Sequence, residues 1–437
     1  MKIFGIIGKP VAHSLSPVIH NRWFKELNLD CSYLKIHSLN CKHAIEFSKK
    51  LNVYGLNITS PYKEELLKFT IPDKASVQIG AINTICLKEN KIQSFNTDFI
   101  GVSEGLKKSF CVDDKTKLTA VILGSGGAAK AATYALVTQL GISSTIIARN
   151  KSEKDKLEQL GAAFCEFSSD KAKADFNKAD IIITTLPANV ELPTGFTFKQ
   201  SAILFDAIYN TNSKVYIKAK SFNVKTIDGL DWLFEQAKPA FKIFTGYDAP
   251  NDEINFLKNT KIKTKPVILI GMMGSGKSSV AKHLASKNLS VIDLDKAIEK
   301  QNSSTISEIF KKFGESYFRD LELKALKEAL NDNYDVISCG GGIVTSNQAI
   351  DILKNEFTVW LWASPKELTS RLSNQTIDRP LLSSLSLKTA ELSDKISHLY
   401  ENRFNMYAAC SSIIFDTESL TTEQLATEIL NEANIVK

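Results

Sequence analysis

The 437-residue sequence predicts an α/β protein built from three strand-and-helix units that follow one another along the chain. Three observations predict this class. A buried strand, a glycine loop and a helix succeed one another at residues 267–285, and a second pattern of this kind starts at residue 118. The first hundred residues alternate short apolar strands with helices. Hydrophobic residues make up 43% of the chain, which is enough for well-formed cores.

Composition argues against several classes of protein. The net charge of +6 is mild and no dense Lys/Arg block occurs, so we expect anionic small molecules rather than nucleic acid as ligands. The seven cysteines are scattered without a C-x-x-C pair, which indicates a reducing compartment without disulfides or a zinc site. Apolar runs are too short for a membrane span or a signal peptide. We therefore expect a cytoplasmic protein that does not enter membranes.

The first unit places polar side chains where its strands end. KIFGII at 2–7 is predicted to be a strand, and HSLSP then leads into a helix starting near Val18. The two serines of HSLSP could bind a small polar ligand or could simply cap that helix. NITSPYK, GAINT and NTDFIG repeat the pattern at later strand ends, with Lys63 just beyond a proline turn. Such side chains on several strand ends suit a polyhydroxylated substrate.

These motifs, in this order and spacing, make the first half resemble shikimate dehydrogenase. The resemblance implies that Lys63 and Asp98 form the catalytic pair and that Ser14 and Ser16 hold the substrate carboxylate. Further substrate contacts are implied for Asn57, Thr59, Asn83 and Asp98. A ketone that is being reduced needs a proton on its oxygen as hydride arrives at carbon, and Lys63 can supply that proton.

A second unit begins with the strand, glycine loop and helix of LTAVILGSGGAAKAATYALVTQL, and STIIAR at 144–149 is the next strand. Such a start suggests dinucleotide binding, although an ordinary α/β turn remains an alternative because Ala129 stands at the sixth position of G-x-G-x-x-G. The loop residues expected to bind the cofactor are Gly124, Ser125, Gly126, Gly127 and Ala128.

The residues after the second strand of this unit favour NADP. An NAD site usually has an acidic residue there, whereas this chain has Arg149 and Lys151, which suit a 2′-phosphate. The sequence departs from the family at Ala148 and Asn150, where an Asn-Arg-Thr triplet is usual. It departs again at Thr184, where the family commonly has an Asn-Ala-Thr/Ser run beside the nicotinamide.

The resemblance to shikimate dehydrogenase covers residues 1–258. The stretch D-x-x-Y-N implies a position near the substrate for Tyr209, and DGLDWLFEQ implies a substrate contact for Gln236. We predict a substrate-binding subdomain from 1–103 and about 230–258, and a Rossmann-like NADP subdomain from 104–229. Residues 259–265 are predicted to be a short basic linker.

The pattern at 267–285, VILIGMMGSGKSSVAKHLA, matches the P-loop G-x-x-x-x-G-K-[ST] in its strand–loop–helix context. Glycines let backbone N–H groups point at phosphate oxygens, and the helix adds its positive end. Lys277 can reach the β- and γ-phosphates of ATP, and Ser278 can hold Mg²⁺. The predicted nucleotide-binding residues are Gly274, Ser275, Gly276, Lys277, Ser278 and Ser279.

Further motifs follow the P-loop. Asp293 and Asp295 stand two apart at a predicted strand end, so we expect both side chains on one face. Arg319 and Glu322 stand three apart on a helix and can pair. Three glycines, 340–342, would let a ligand approach the backbone closely, and RPLL lies in a serine-rich stretch that we interpret as a lid.

P-loop, D-x-D, F-R-x-x-E, G-G-G, R-P-L-L and a later arginine ahead of a tyrosine make residues 266–437 resemble shikimate kinase, a P-loop domain like the nucleoside monophosphate kinases. The resemblance implies that shikimate is bound by Asp295, Arg319, Gly341 and Arg403. Asp293 would contribute to the Mg²⁺ shell, Asp295 would engage the acceptor hydroxyl, and Arg379 would close over the phosphates.

The two resemblances imply consecutive reactions in aromatic amino acid biosynthesis. The first half would reduce 3-dehydroshikimate to shikimate with NADPH, and the second would phosphorylate shikimate with MgATP. One alternative is a quinate/shikimate dehydrogenase with relaxed cofactor use, fused to a kinase. Another is a metabolite-sensing regulator with one inactive half; Lys63, Asp98, Lys277 and Asp295 are all present, which argues against it.

Overall fold

The computed structural model describes residues 1–88, 91–109, 118–209, 211–251, 253–258, 260, 263–373 and 389–434. Its strands are β1 (Lys2–Gly8), β2 (Cys31–His37), β3 (Val53–Ile58), β4 (Ile71–Pro72), β5 (Thr84–Lys88), β6 (Lys91–Phe95), β7 (Thr119–Leu123), β8 (Ser143–Ala148), β9 (Ala163–Glu166), β10 (Ile181–Thr184), β11 (Ile203–Asp206), β12 (Lys225–Ile227), β13 (Val267–Ile270), β14 (Val291–Asp293), β15 (Val336–Ser338), β16 (Phe357–Trp362) and β17 (Ile413–Asp416). Its α-helices are α1 (Ser16–Glu26), α2 (Cys41–Lys50), α3 (Lys74–Ile79), α4 (Asp98–Ser109), α5 (Gly127–Tyr134), α6 (Lys154–Gln159), α7 (Asp170–Lys178), α8 (Lys214–Ser221), α9 (Gly229–Thr245), α10 (Asn255–Lys258), α11 (Lys277–Ser286), α12 (Leu294–Asn302), α13 (Ile306–Asn331), α14 (Asn347–Leu353), α15 (Pro365–Ser373), α16 (Thr389–Cys410) and α17 (Thr422–Glu432).

Contacts divide the chain into two compact units that do not follow sequence order. Unit 1 consists of Met1–Ser14, Asp30–Asn52 and Lys261–Lys437, and unit 2 consists of Leu15–Leu29 and Val53–Thr260. Unit 1 therefore combines the P-loop half with two short N-terminal segments. Contact units and functional domains are different divisions of a chain, so the boundaries 1–258, 259–265 and 266–437 remain a prediction.

Unit 1 is built on parallel strands in the order β14-β15-β13-β16-β17-β2-β1. The central strand β13 is the apolar VILI segment, and all four of its residues are buried. Parallel strands with helices on both faces are buried on both sides, which explains why a central strand such as β13 is a continuous apolar run rather than an alternating one. The carboxyl end of β13 opens into the glycine loop, where open α/β sheets place their ligands.

Unit 2 contains two groups of strands. One has the order β3-β5-β6-β4 with antiparallel β3–β5 and β5–β6 pairs. The other is a parallel sheet with the order β12-β11-β10-β7-β8-β9. Apolar clusters cover both faces of the parallel sheet, one around Ile122 and Phe205 and the other around Leu123 and Phe176. This is the doubly wound arrangement that the glycine-rich pattern at residue 118 predicts.

The predicted α/β class is confirmed. The predicted strand at 2–7 is β1, and the helix expected near Val18 starts two residues earlier, at Ser16. Among the described residues, no helix is both long and apolar enough to cross a bilayer.

Candidate active sites

Lys63 and Asp98 meet in unit 2. The Lys63 ammonium lies 2.6 Å from Oδ2 of Asp98, and the two side chains are 18% and 8% exposed. Asp98 is the first residue of α4, where the positive end of the helix stabilises a carboxylate. Lys63 lies a few residues past β3, beyond the proline turn. A largely desolvated lysine held by one carboxylate has a fixed direction for its protons, which suits a proton donor.

Asn83 is the centre of a buried hydrogen-bond network that fixes Asp98. Its Nδ2 donates to Oδ1 of Asp98 and to Oε1 of Gln236, both at 3.0 Å. Its Oδ1 accepts from the backbone N–H of Thr97 at 2.7 Å. Nδ2 of Asn57 donates to the Thr84 hydroxyl at 3.1 Å, and that hydroxyl donates to Oδ1 of Asn83 at 3.0 Å. The structure thus brings Lys63, Asn57, Asn83, Asp98 and Gln236, predicted from four separate motifs, into one network.

The remaining predicted substrate residues lie in both units. Ser14 is buried in unit 1, and Ser16 is buried in unit 2. Helix α1 has Leu15 at its N-cap position, so neither serine occupies the N-cap position that the motif alone allowed. Thr59 and Tyr209 are half-buried in unit 2.

The glycine loop after β7 approaches Lys63 directly. A Cβ on Gly127 would lie 3.4 Å from Cβ of Lys63, so the start of α5 packs against the aliphatic part of the Lys63 side chain. Gly124 has a φ of 118°, and a Cβ there would lie 2.3 Å from the Thr185 hydroxyl, which donates to the Leu123 carbonyl at 2.9 Å. Thr185 therefore closes the loop from the β10 side, and only glycine fits at position 124.

The basic residues expected near the cofactor differ in what they contact. Arg149 is exposed just past β8, and no ion pair of the described residues involves it. Lys151 lies 2.8 Å from Glu166. Sequence reasoning missed Lys130, which is buried in α5 and lies 2.7 Å from both Glu64 and Glu153. Since Glu64 adjoins Lys63, the Lys130–Glu64 pair connects α5 to the turn that carries Lys63. The lysine within the apolar AAKAA segment was the available signal.

The P-loop of unit 1 has the expected conformation. Gly274 and Gly276 have φ values of 80° and 93°, which favour glycine. Nζ of Lys277 donates to the carbonyls of Gly271 at 2.8 Å and Met272 at 3.1 Å, which holds the ammonium over the loop. The hydroxyl of Ser278 donates to Oδ2 of Asp293 at 3.3 Å. A hydroxyl and a carboxylate oxygen at this separation fit the oxygen ligands that Mg²⁺ prefers.

A cavity of about 1090 Å³ extends from the P-loop to the triple glycine. Its walls include all the predicted kinase residues that the structure describes: Gly274, Ser275, Gly276, Lys277, Ser278, Ser279, Asp293, Asp295, Arg319, Gly341 and Arg403. Arg379 lies outside the described residues. One expectation is wrong in detail, because Asp295 does not follow Asp293 on a strand. Asp293 ends β14 and caps α12, and Asp295 lies in the first turn of that helix.

The triple glycine forms the floor beneath the charged groups. A Cβ on Gly342 would lie within 2.3 Å of three guanidinium atoms of Arg319, and one on Gly340 would lie 2.3 Å from Oε1 of Glu322. The carbonyl of Gly341 accepts from Arg403 at 3.2 Å and from the Tyr407 hydroxyl at 2.5 Å. The glycines are therefore needed here for close approach by side chains, in addition to any ligand.

Arg319 is held between two carboxylates. It pairs with Glu322, as predicted, and its Nη2 also lies 2.7 Å from Glu315. Burial raises the pKa of Glu322 to about 7, Arg319 counteracts this and Asp295 adds to it. Sequence reasoning gave no role to Arg371, which donates to the carbonyls of Gly274 and Thr417 at 3.3 and 2.9 Å and lines the cavity. It stands on α15 without a motif around it, so only the fold could place it at the P-loop.

Comparison with known proteins finds two families along the chain. The family model described as shikimate dehydrogenase substrate binding domain matches residues 6–85, and the shikimate kinase model matches residues 273–434. A shikimate dehydrogenase (NADP(+)) of Methanocella arvoryzae is 35% identical over 267 residues, which are 58% of this chain and 96% of the relative. The shikimate dehydrogenase (NADP(+)) of Methanocaldococcus jannaschii is 36% identical over 282 residues, which are 60% of this chain and 96% of the relative.

Solved structures give the same result. The shikimate dehydrogenase of Aquifex aeolicus has 32% identity and a TM-score of 0.53, with 60% of this chain covering 98% of that one. The Thermus thermophilus enzyme, solved with NADP(H) and shikimate, has 26% identity and a TM-score of 0.51, with 59% of this chain covering 97% of that one. The predictions of an NADP-linked oxidoreductase and of a kinase with ATP and Mg²⁺ are confirmed by these relationships. The chain belongs to the shikimate dehydrogenase family and continues into a shikimate kinase domain.

Proposed function

We propose that this chain catalyses two consecutive reactions: reduction of 3-dehydroshikimate to shikimate with NADPH, and phosphorylation of shikimate to shikimate 3-phosphate with MgATP. The observation that carries the first reaction is the 2.6 Å Lys63–Asp98 pair next to the glycine loop. The second is supported by a cavity that joins a P-loop to two arginines. The matches to shikimate dehydrogenase and shikimate kinase imply that both sites act on shikimate. Shikimate is the product of the first reaction and the substrate of the second.

In the reduction, NADPH supplies a hydride to the carbonyl carbon. Residues of the chain then neutralise the negative charge that develops on the carbonyl oxygen. Lys63 gives a proton to that oxygen and becomes neutral, which restores the neutral alcohol. Asp98 orients the ammonium and, through Asn83, is itself held in place. We propose that Asn57, Thr59, Asn83, Tyr209 and Gln236 bind the substrate hydroxyls and that Ser14 and Ser16 bind its carboxylate.

In the phosphorylation, ATP supplies the γ-phosphoryl group. We propose that Ser278 and Asp293 hold Mg²⁺ and that Lys277 moves from its two carbonyl partners to the phosphates. Asp295 engages the acceptor hydroxyl. Arg319 and Arg403 bind the substrate carboxylate, for which their planar donor sets are suited. Arg379 is proposed to close over the phosphates.

Two related functions remain alternatives within this proposal. The quinate dehydrogenase of Corynebacterium glutamicum has 22% identity to this chain, which shows a shared fold alone. The sensor alternative is disfavoured because Lys63 pairs with Asp98, and Lys277 and Asp295 line one cavity. We also propose a cytoplasmic location and no nucleic-acid partner. The location is supported by six free cysteines among the described residues, five of them buried, because free thiols suit a reducing compartment.

Competition assays test the substrate and cofactor assignments. The protein should oxidise shikimate with NADP at a kcat/KM at least about tenfold above that for quinate or for NAD, since the exposed Arg149 offers a charge for the 2′-phosphate. It should also transfer phosphate from MgATP to shikimate. A preference for quinate, or equal use of NAD, would replace the proposal by the relaxed-specificity alternative.

A further inference from the structure

Part of the dehydrogenase-like half is built into the same compact unit as the kinase domain. Strand β2 pairs in parallel with β17, with Lys35 opposite Ile413 and Ile36 opposite Ile414. An unpaired edge strand exposes a row of N–H and C=O groups, and each of these two strands satisfies the other. The N-terminal segments of unit 1 thus extend the sheet of the kinase domain.

Side chains reinforce this pairing. The ring of His37 stacks on Phe415 at 4.4 Å between centroids, and its Nε2 lies 3.2 Å from Glu428. Lys9 lies 2.8 Å from the same Glu428, and Lys50 lies 2.7 Å from Glu418. The contacts are made mainly by α17 and β17, the last helix and strand of the described kinase domain.

A further buried contact is made by Glu432, the last residue of α17. The side chain is 4% exposed, and its Oε2 accepts hydrogen bonds from the backbone N–H groups of Val11 at 2.8 Å and Ala12 at 2.7 Å. Nζ of Lys35 donates to the Ala12 carbonyl at 2.5 Å, which leaves the loop between β1 and α1 held from both sides. A buried carboxylate is costly unless it is satisfied in this way, so the arrangement is specific.

This loop leads directly to Ser14. The Ser14 backbone N–H donates to the Val11 carbonyl at 3.0 Å, so the position of Ser14 is set by the same turn that Glu432 holds. We infer that Glu432 is a positioning residue for the dehydrogenase, supplied by the last helix of the kinase domain. The inference rests on the proposed function, because it takes Ser14 to bind the substrate carboxylate.

The same helix also reaches the kinase cavity, but with its other end. Thr422 and Leu425 line that cavity, and Glu432 lies ten residues beyond Thr422, about 15 Å further along the helix axis. Kinase activity is therefore an internal control for substitutions at Glu432.

The test uses the full-length protein with substitutions at Glu432. Glu432→Ala removes both hydrogen bonds, and Glu432→Asp withdraws the carboxylate by one methylene. Both should therefore raise the dehydrogenase KM for shikimate, by about tenfold for Ala and by less for Asp. We expect kcat to change by less than about twofold. Glu432→Gln keeps one oxygen that can accept from both N–H groups, and should raise KM less than Glu432→Ala. Glu423→Gln, at an exposed position of the same helix, is the matched control. Kinase KM and kcat should be unchanged in all of these variants.

Ser14→Ala separates this inference from the proposed function. A raised KM in Ser14→Ala and in the Glu432 Ala and Asp variants, with partial rescue by Gln, supports both. A raised KM in Ser14→Ala with wild-type KM in every Glu432 variant, even where the unfolding temperature falls, overturns the positioning role and leaves the proposed function intact. A wild-type KM in Ser14→Ala overturns the role of Ser14 and the inference with it. If Glu432→Ala does not fold, the Asp and Gln variants decide by the same criteria.

Discussion

The two proposed active sites of this chain differ in how their lysines are held before any ligand binds. In the dehydrogenase site, Lys63 is paired with Asp98, and Asn83 and Gln236 complete a buried network. In the kinase site, Lys277 bonds to backbone carbonyls, and the groups surround a cavity of about 1090 Å³. Proton delivery needs a donor whose direction is fixed in advance. Phosphoryl transfer needs room for several anionic groups and cations that can turn toward them.

The largest expected effect comes from breaking the fixed pair. Lys63→Ala should lower dehydrogenase kcat by about 10³-fold, because general acid catalysis is lost, while phosphorylation of added shikimate continues. Steady-state assays of both reactions on one preparation measure this. Lys68→Ala, at an exposed position nearby, is the control. Loss of both activities in Lys63→Ala would contradict independent sites.

The converse substitution affects the kinase. Lys277→Ala should lower phosphorylation by about 10²- to 10³-fold, since the cation on the transferring phosphates is lost, and should leave shikimate oxidation unchanged. Lys282→Ala is the control, because it lies exposed on the same helix α11. Unchanged ATP turnover in Lys277→Ala would exclude the P-loop from the reaction.

A smaller effect is expected where the kinase cavity is closely packed. Gly342→Ala would place a methyl group within 2.3 Å of the Arg319 guanidinium, so the arginine must move. We expect the kinase KM for shikimate to rise by about tenfold with a smaller change in the KM for ATP. Dehydrogenase activity of the same preparation is the control, and an equal rise in both kinase KM values would show a general distortion instead.

The smallest effect is a pH dependence of stability. Burial raises the pKa of Glu322 to about 7, above its ordinary value of 4.5, so the folded state holds this proton more tightly than the unfolded chain does. The free energy of unfolding therefore falls as pH rises from about 4.5 to 7 through this group. Glu322→Gln should lose less stability than wild type between pH 5 and pH 7.5 in thermal unfolding, and equal losses would show that Glu322 does not titrate there.

The parts of this protein that can be predicted from sequence are those in which one short motif supplies all of the interacting residues. The P-loop, the Arg319–Glu322 pair and the polar strand ends are local patterns, and the structure assembles them as expected. Asp295 was placed on the wrong kind of element because the strand β14 ends at Asp293, before it, and short apolar segments do not show their ends. The partners of Lys130 and Glu432 depend on tertiary contacts between distant segments, for which no sequence spacing gives a signal.

The central claim is that one chain carries out two consecutive reactions, and a coupled assay tests it most directly. Purified protein is supplied with 3-dehydroshikimate, NADPH and MgATP, and loss of NADPH and formation of ADP are followed together. We predict that both proceed and that ADP forms only when NADPH is present. NADPH consumption without ADP, or ADP formation that does not depend on NADPH, would contradict the proposed sequence of reactions.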